Sequence, residues 1–145
     1  LTNNFNCKLV NYQRTNPKIK NLQYNKILSM QKGIEMQKME LLFYYKNKLL
    51  EGSTTNIIMI KNNHIILPKG NYYKGITLNY LLSKIRTKYI FKSISISELS
   101  NADEIILVGS GKGVIKVTSI PKIKWYSSTS KMFKRLSAIY KTQLI

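Results

Sequence analysis

Three short segments of this sequence combine residue types that could bind anions or hold a charge in place. Gly109-Ser110-Gly111-Lys112-Gly113 follows an apolar run, and its unhindered amides and the Ser110 hydroxyl could cradle a phosphate. The spacing is not that of a P-loop. Nor is it a dinucleotide fingerprint, because a strand rather than a helix is predicted to follow, and a plain glycine-rich connection remains open. Gly75-Ile76-Thr77 opens a predicted helix, whose unpaired amides and positive dipole end favour an anion. Glu51, one of only 6 acids, stands beside the small polar run Gly52-Ser53-Thr54-Thr55-Asn56. It reads either as a solvated loop carboxylate or as an anion aimed at a protonated nitrogen. A nucleophilic amine cannot be chosen from composition, since all but Arg14, Arg86 and Arg135 of the 24 basic residues are lysines. Lys20 merely stands in a suitable place, between the extended Pro17-Lys18-Ile19 and a predicted helix.

The elements that must position these residues follow from apolar spacing. Val10 to Arg14 reads as an irregular or edge segment closed by Pro17. Leu22, Ile27, Leu28, Gln31 and Ile34 predict a helix running to about Gln37. Met39 to Tyr45, the turn Lys46-Asn47-Lys48 and Leu49-Leu50 predict a hairpin, and Asn56 to Ile60 with His64 to Leu67 predict a second. Ile76 to Ile85 is an amphipathic helix, and Tyr89 to Ile96 alternates like a strand. Ser97 to Ser100 makes one helical turn, Glu104 to Val108 and Val114 to Val117 are strands, and Ser127 to Thr142 is a terminal helix. This alternation of helices and hairpins predicts one α+β (mixed α/β) domain, a mixed sheet with flanking helices.

Composition removes many alternatives. The 145 residues suit a single domain, and 43% apolar content is enough for a core. No apolar run reaches the length of a membrane span, and the single Cys7 and single His64 exclude disulfide frameworks and multi-ligand metal cages. Cys7 reads as structural, His64 as a surface or packed residue, and Trp125 as an anchor for the terminal helix. The net charge of +18 would suit nucleic acid. Yet the lysines are dispersed, and Asn, Ile, Lys and Tyr are all abundant, as A- and T-rich codons would produce. No specific nucleic-acid or membrane partner is expected.

Taken in order, the motifs resemble the carboxy-terminal domain of the class IV aminotransferases, the fold-type IV enzymes that use pyridoxal phosphate. Lys20-Asn21-Leu22-Gln23-Tyr24 stands where the family has a lysine and an Asn-Tyr pair. Glu51-Gly52-Ser53-Thr54-Thr55-Asn56 matches Glu-Gly followed by small residues and Asn, and Gly75-Ile76-Thr77 matches Gly-Ile-Thr. Ala102-Asp103-Glu104 and Val108-Gly109-Ser110 match the Ala-Asp-Glu strand and its Gly-Thr-like loop. The resemblance covers roughly residues 9–120.

It implies that pyridoxal 5'-phosphate is the cofactor and that Lys20 is the Schiff-base lysine and proton shuttle. Glu51 would face the pyridine nitrogen and Tyr24 the phenolic oxygen, while Ile76, Thr77 and Ser110 would hold the phosphate. The substrate would be an amino acid or aminodeoxychorismate. The reaction would be transamination of a branched-chain or D-amino acid, or the aminodeoxychorismate lyase reaction. The Gly109-Ser110-Gly111 loop is closer to lyase-like and D-amino-acid-aminotransferase-like members than to the branched-chain type, and the balance leans to the lyase. The family's small amino-terminal domain would be missing from residues 1–145, and a homodimer is expected. The expected compartment is cytoplasmic, or an organellar matrix if a transit peptide was removed. Three departures stand out: Leu78 replaces the arginine after Gly-Ile-Thr, Gln23 the Asn before Tyr24, and Lys116-Val117 the usual Pro-Val. Leu78 and the missing domain leave a second expectation, a catalytically inactive truncated relic acting as a binding or structural subunit, and the basic charge leaves a third, a nucleic-acid-binding module.

Overall fold

The protein is described by a computed structural model covering residues 4–14 and 24–143. Its elements, in chain order, are β1 Asn4–Asn11, α1 Tyr24–Gln31, β2 Met39–Tyr45, β3 Lys48–Gly52, β4 Asn56–Lys61, β5 His64–Pro68 and α2 Ile76–Lys84. They continue with β6 Tyr89–Lys92, α3 Ile96–Leu99, β7 Glu104–Gly109, β8 Gly113–Ile120, β9 Trp125–Tyr126 and α4 Lys131–Thr142. Among the described residues the strands form one mixed sheet, in the order β3-β2-β1-β8-β7-β4-β5-β6, with β9 on β8.

The two predicted hairpins are present and their turns explain them. Lys46 and Asn47 (φ 52° and 59°) join β2 to β3, and Asn62 and Asn63 (φ 50° and 64°) join β4 to β5. Two successive left-handed residues match the right-handed twist of the strands, and asparagine tolerates that conformation. Parallel pairs need longer crossovers, and α1 lies between β1 and β2 as α2 does between β5 and β6.

β4 is buried on both faces, which is why its sequence is a continuous apolar run. Ile57 and Met59 join a core cluster with Phe5, Leu42, Leu107 and Ile115. Ile58 and Ile60 join the opposite cluster, where α2 and α4 pack Leu78, Leu81, Met132 and Leu136. Leu78 and Leu81 are fully buried, each contributing about 1.5–3 kcal/mol relative to exposure. The sheet wraps the first cluster: the Leu49 amide of β3 donates to the Ile94 carbonyl beyond β6 at 2.8 Å, joining the two ends of the strand order.

Several expectations needed correction. The segment Val10 to Arg14 is as expected, since Val10 and Asn11 pair with β2 alone and 12–14 are irregular. The strand before it was missed: β1 begins at Asn4, its Asn4–Asn6 also pair with β8, and Phe5, Cys7 and Leu9 are buried on alternate positions. The first helix stops at Gln31 rather than about Gln37, because Gly33 turns the chain with φ 81°. The alternating stretch Tyr89 to Ile96 is a strand only to Lys92, and all four β6 residues are exposed. There Ser95 caps α3 in a reciprocal capping box with Glu98, and this local bonding wins over the strand pattern. The terminal helix starts at Lys131, not Ser127, since the Ser127 and Ser128 amides donate to the Thr118 and Asp103 carbonyls instead. Trp125 does not anchor that helix. It lies in the first cluster, its Nε1 donating to the Ala102 carbonyl at 2.7 Å, whereas α4 covers the second.

Candidate active site

A cleft of about 580 Å³ opens where β3 meets β4, α2 begins and the β7–β8 hairpin turns. Its first wall is built on a carboxylate that does not face the cleft. Glu40, fully buried on β2, accepts hydrogen bonds from the amides of Leu41 (2.9 Å) and Thr54 (3.1 Å). The hydroxyls of Thr54 (2.8 Å), Thr55 (3.0 Å) and Ser53 donate to it as well. The 53–55 turn is therefore folded around a buried charge, which such density of donors makes tolerable. Gly52 precedes the turn because a Cβ there would fall on the Thr55 hydroxyl. Glu51 is thereby fixed at the end of β3, 4% exposed, with its Oε2 3.2 Å from Arg14 Nε. Arg14 Nη2 donates to the Ser53 carbonyl at 2.9 Å, and Gln31 Nε2 to the Ser53 hydroxyl at 2.8 Å. Burial pushes the Glu51 carboxyl up to about 7; the Arg14 cation opposes this and the Glu40 charge adds to it. Desolvation outweighs the ion pair, so this acid changes charge near neutrality.

The second wall is made of donors. Asn56, first residue of β4, latches the start of α2: its Nδ2 donates to the Tyr73 carbonyl at 2.7 Å and its Oδ1 accepts from the Gly75 amide at 2.8 Å. α2 begins after Gly75 with no side chain capping it, so the first amides, at Ile76 and Thr77, face the cleft end of the helix dipole. Across from them the β7–β8 turn is closed by the Lys112 amide on the Gly109 carbonyl at 3.2 Å. Gly109 presses against the first wall, a Cβ there lying 2.8 Å from the Thr54 carbonyl, while a Cβ on Gly111 would meet nothing within 4 Å. Ser110 is exposed at this open turn.

Of the residues expected to form the site, Glu51, Ile76, Thr77 and Ser110 all line this one cleft. Lys20 lies outside the described residues, and of Tyr24 only its place as the first residue of α1 is described. Leu78, in place of the expected arginine, is a core residue packed with Met132 and Leu136. The nearby strand acid Glu104 is instead occupied by the α4 amides of Met132 (2.9 Å) and Phe133 (3.0 Å). Arg14, Glu40, Gln31 and Asn56 were not expected to act. Two had a signal: Arg14 is one of three arginines in a lysine-rich chain, and Glu40 is a charge inside an apolar strand. Among the described residues no group of three His, Cys, Asp or Glu could hold a metal, and no helix is long and apolar enough to cross a membrane.

Known proteins share parts of this sequence and its fold. The "probable branched-chain-amino-acid aminotransferase" of Aquifex aeolicus (strain VF5) is 35% identical over 80 residues, covering 51% of this chain and 26% of that protein. The branched-chain amino acid aminotransferase of Thermobaculum terrenum, solved in its PLP form, superposes with a TM-score of 0.80 at 19% identity, over 97% of this chain and 50% of that one. The 4-amino-4-deoxychorismate lyase of Pseudomonas aeruginosa gives 0.78 at 17% identity, over 97% and 55%. These two likenesses show the fold, and the chain spans about half the length of the solved relatives and about a quarter of the curated one. The family model for amino-transferase class IV matches residues 4–120, from β1 to the end of β8, and the chain belongs to that family.

Proposed function

We propose that this chain supplies the cofactor-binding half of a pyridoxal-phosphate-dependent site acting on an amino acid. The observation that carries the reading is the pairing, across one cleft, of a buried acid with an uncapped helix start and an open glycine turn. That donor set fits a group with a protonable ring nitrogen at one end and a phosphate at the other. When bound, pyridoxal phosphate supplies an electron sink for carbanion charge at the substrate α-carbon. The chain's own residues do the rest. Glu51 holds a proton on the ring nitrogen, and Arg14 and the Glu40-braced turn fix its carboxylate. The Ile76 and Thr77 amides and the Ser110 hydroxyl take the phosphate oxygens, and Tyr24 donates to the phenolic oxygen. Lys20 provides the amine that bonds the cofactor and then carries the α-proton.

Transamination of a branched-chain amino acid is supported by the relative from Aquifex aeolicus. The lyase reaction, releasing pyruvate from aminodeoxychorismate, is supported by the Gly109-Ser110-Gly111 turn. A homodimer is part of the proposal. Borohydride reduction of the purified chain with pyridoxal phosphate, followed by peptide mass mapping, tests it. Label concentrated on Lys20 and weakened in Glu51→Gln is the expected result, whereas label scattered over the lysines and indifferent to Glu51 overturns the reading. Leucine with a 2-oxo acid, or aminodeoxychorismate, offered to the labelled-competent chain then separates the two reactions.

A further inference from the structure

The β7–β8 turn assigned to the phosphate stands on two glycines that face each other across the hairpin, Gly109 and Gly113. Gly109 presses on the first wall, at the Thr54 carbonyl. Gly113 presses on α4: a Cβ there would lie 3.1 Å from Cε2 and 3.4 Å from Cζ of the Tyr140 ring. With φ 74°, Gly113 also occupies the left-handed region that glycine enters without strain. The turn therefore leaves the sheet between a fixed wall and a flat ring, with no side chain of its own glycines between the backbone and either support. Contact this close transmits position, because packed groups have little room to shift.

α4 is held firmly enough to act as that support. Its first turn is pinned to β7 by the Met132 and Phe133 amides, which donate to the Glu104 carboxylate at 2.9 and 3.0 Å. The Lys116 ammonium of β8 donates to the Ser130 hydroxyl just before it. Met132 and Leu136 are buried in the second core cluster. At the far end, the Thr142 and Tyr80 hydroxyls are hydrogen-bonded at 3.1 Å, which ties α4 to α2 about one turn beyond the Ile76 amide. One helix thus braces both elements assigned to the phosphate, the turn through Tyr140 and α2 through Thr142. Resting on the functional reading above, we infer that Tyr140 is a positioning residue, whose ring sets the place from which Ser110 reaches the phosphate.

The test uses the whole chain with Tyr140→Ala, which removes the ring, and Tyr140→Phe, which keeps it. Borohydride-fixed label on Lys20 is measured against the concentration of pyridoxal phosphate and, separately, of pyridoxal, which has the same ring and no phosphate. A hydrogen bond to a charged oxygen that is no longer aimed corresponds to about 10-fold, so the half-saturating concentration of pyridoxal phosphate should rise by that factor in Tyr140→Ala. That of pyridoxal should stay unchanged, and Tyr140→Phe should match the wild type with both. Where Tyr140→Ala does not fold, Tyr140→Leu, apolar but without a flat face, carries the same expectation. Equal weakening toward both compounds shows a merely structural role and overturns the inference alone, as does wild-type affinity for pyridoxal phosphate in every variant that folds. A wild-type chain that takes pyridoxal phosphate no better than pyridoxal overturns the phosphate assignment and the inference with it. A wild-type chain whose label does not concentrate on Lys20 overturns the whole functional reading.

Discussion

The two walls of the cleft are built on opposite plans. On the Glu51 side the charged groups described are paired inside the chain, Glu51 with Arg14 and the carboxylate of Glu40 with the 53–55 turn. On the α2 side the helix start is uncapped and the turn at Gly111 borders open space. A surface that has satisfied itself holds its shape before any ligand arrives; one that keeps its donors open is completed by the ligand. In the proposed function the orientation of the site thus resides in the first wall and its anion affinity in the second.

The largest break in this contrast is Glu40→Ala, which strands the donors of the 53–55 turn. Loss of about 3–5 kcal/mol is expected, read from the urea midpoint, because removing one side of a buried charged network leaves the other unsatisfied. Glycine substitutions sharpen the comparison next. Gly109→Ala drives a Cβ to 2.8 Å from the Thr54 carbonyl and is expected to cost about 1–3 kcal/mol. Gly111→Ala, with nothing in reach, should stay within about 0.5 kcal/mol in the same unfolding experiment. Asn56→Ala removes both bonds of the latch, with an expected loss of about 1–3 kcal/mol. It should also weaken pyridoxal phosphate binding, because it frees the α2 start while leaving Glu51 in place. A change of pH tests the same contrast without a substitution. The folded-state pKa of Glu51, about 7, lies above its ordinary 4.5, so the folded chain holds this proton more tightly than the unfolded one. The stabilisation is fully present below that ordinary value and is lost as pH rises through about 7. Melting temperature should decline over this window in the wild type, and Glu51→Gln should flatten the decline.

The sequence made the open wall easier to read than the closed one. Gly75-Ile76-Thr77 and the Gly109–Gly113 turn, proposed to take an anion, depend on backbone geometry, which glycine and helix-start patterns announce locally. The closed wall depends on side chains brought together from β1, α1, β2 and β3, and no local pattern records that Arg14 meets Glu51 or that Glu40 meets Ser53. In the same way, the hairpins were legible because their turns are local. β1 was not: its central place is set by partners in β2 and β8, and β8 begins about a hundred residues further along the chain than β1. At α3, one capping box ended a strand pattern that ran on past it.

The seating of β1 against β8 also bears on how the molecule is made. The Ser119 hydroxyl donates to Asn6 Oδ1 at 2.7 Å across a separation of 113 residues, and the parallel pairing beside it joins Phe5 to Val117. On a ribosome, β1 and β2 emerge long before β8 exists, so until then one edge of β1 is exposed to other nascent chains. The hairpin bearing Ser110 and Lys112 is completed by that same late-arriving strand. The cleft therefore closes only after β8 has emerged, and chaperone dependence during translation should track the delay between β1 and β8.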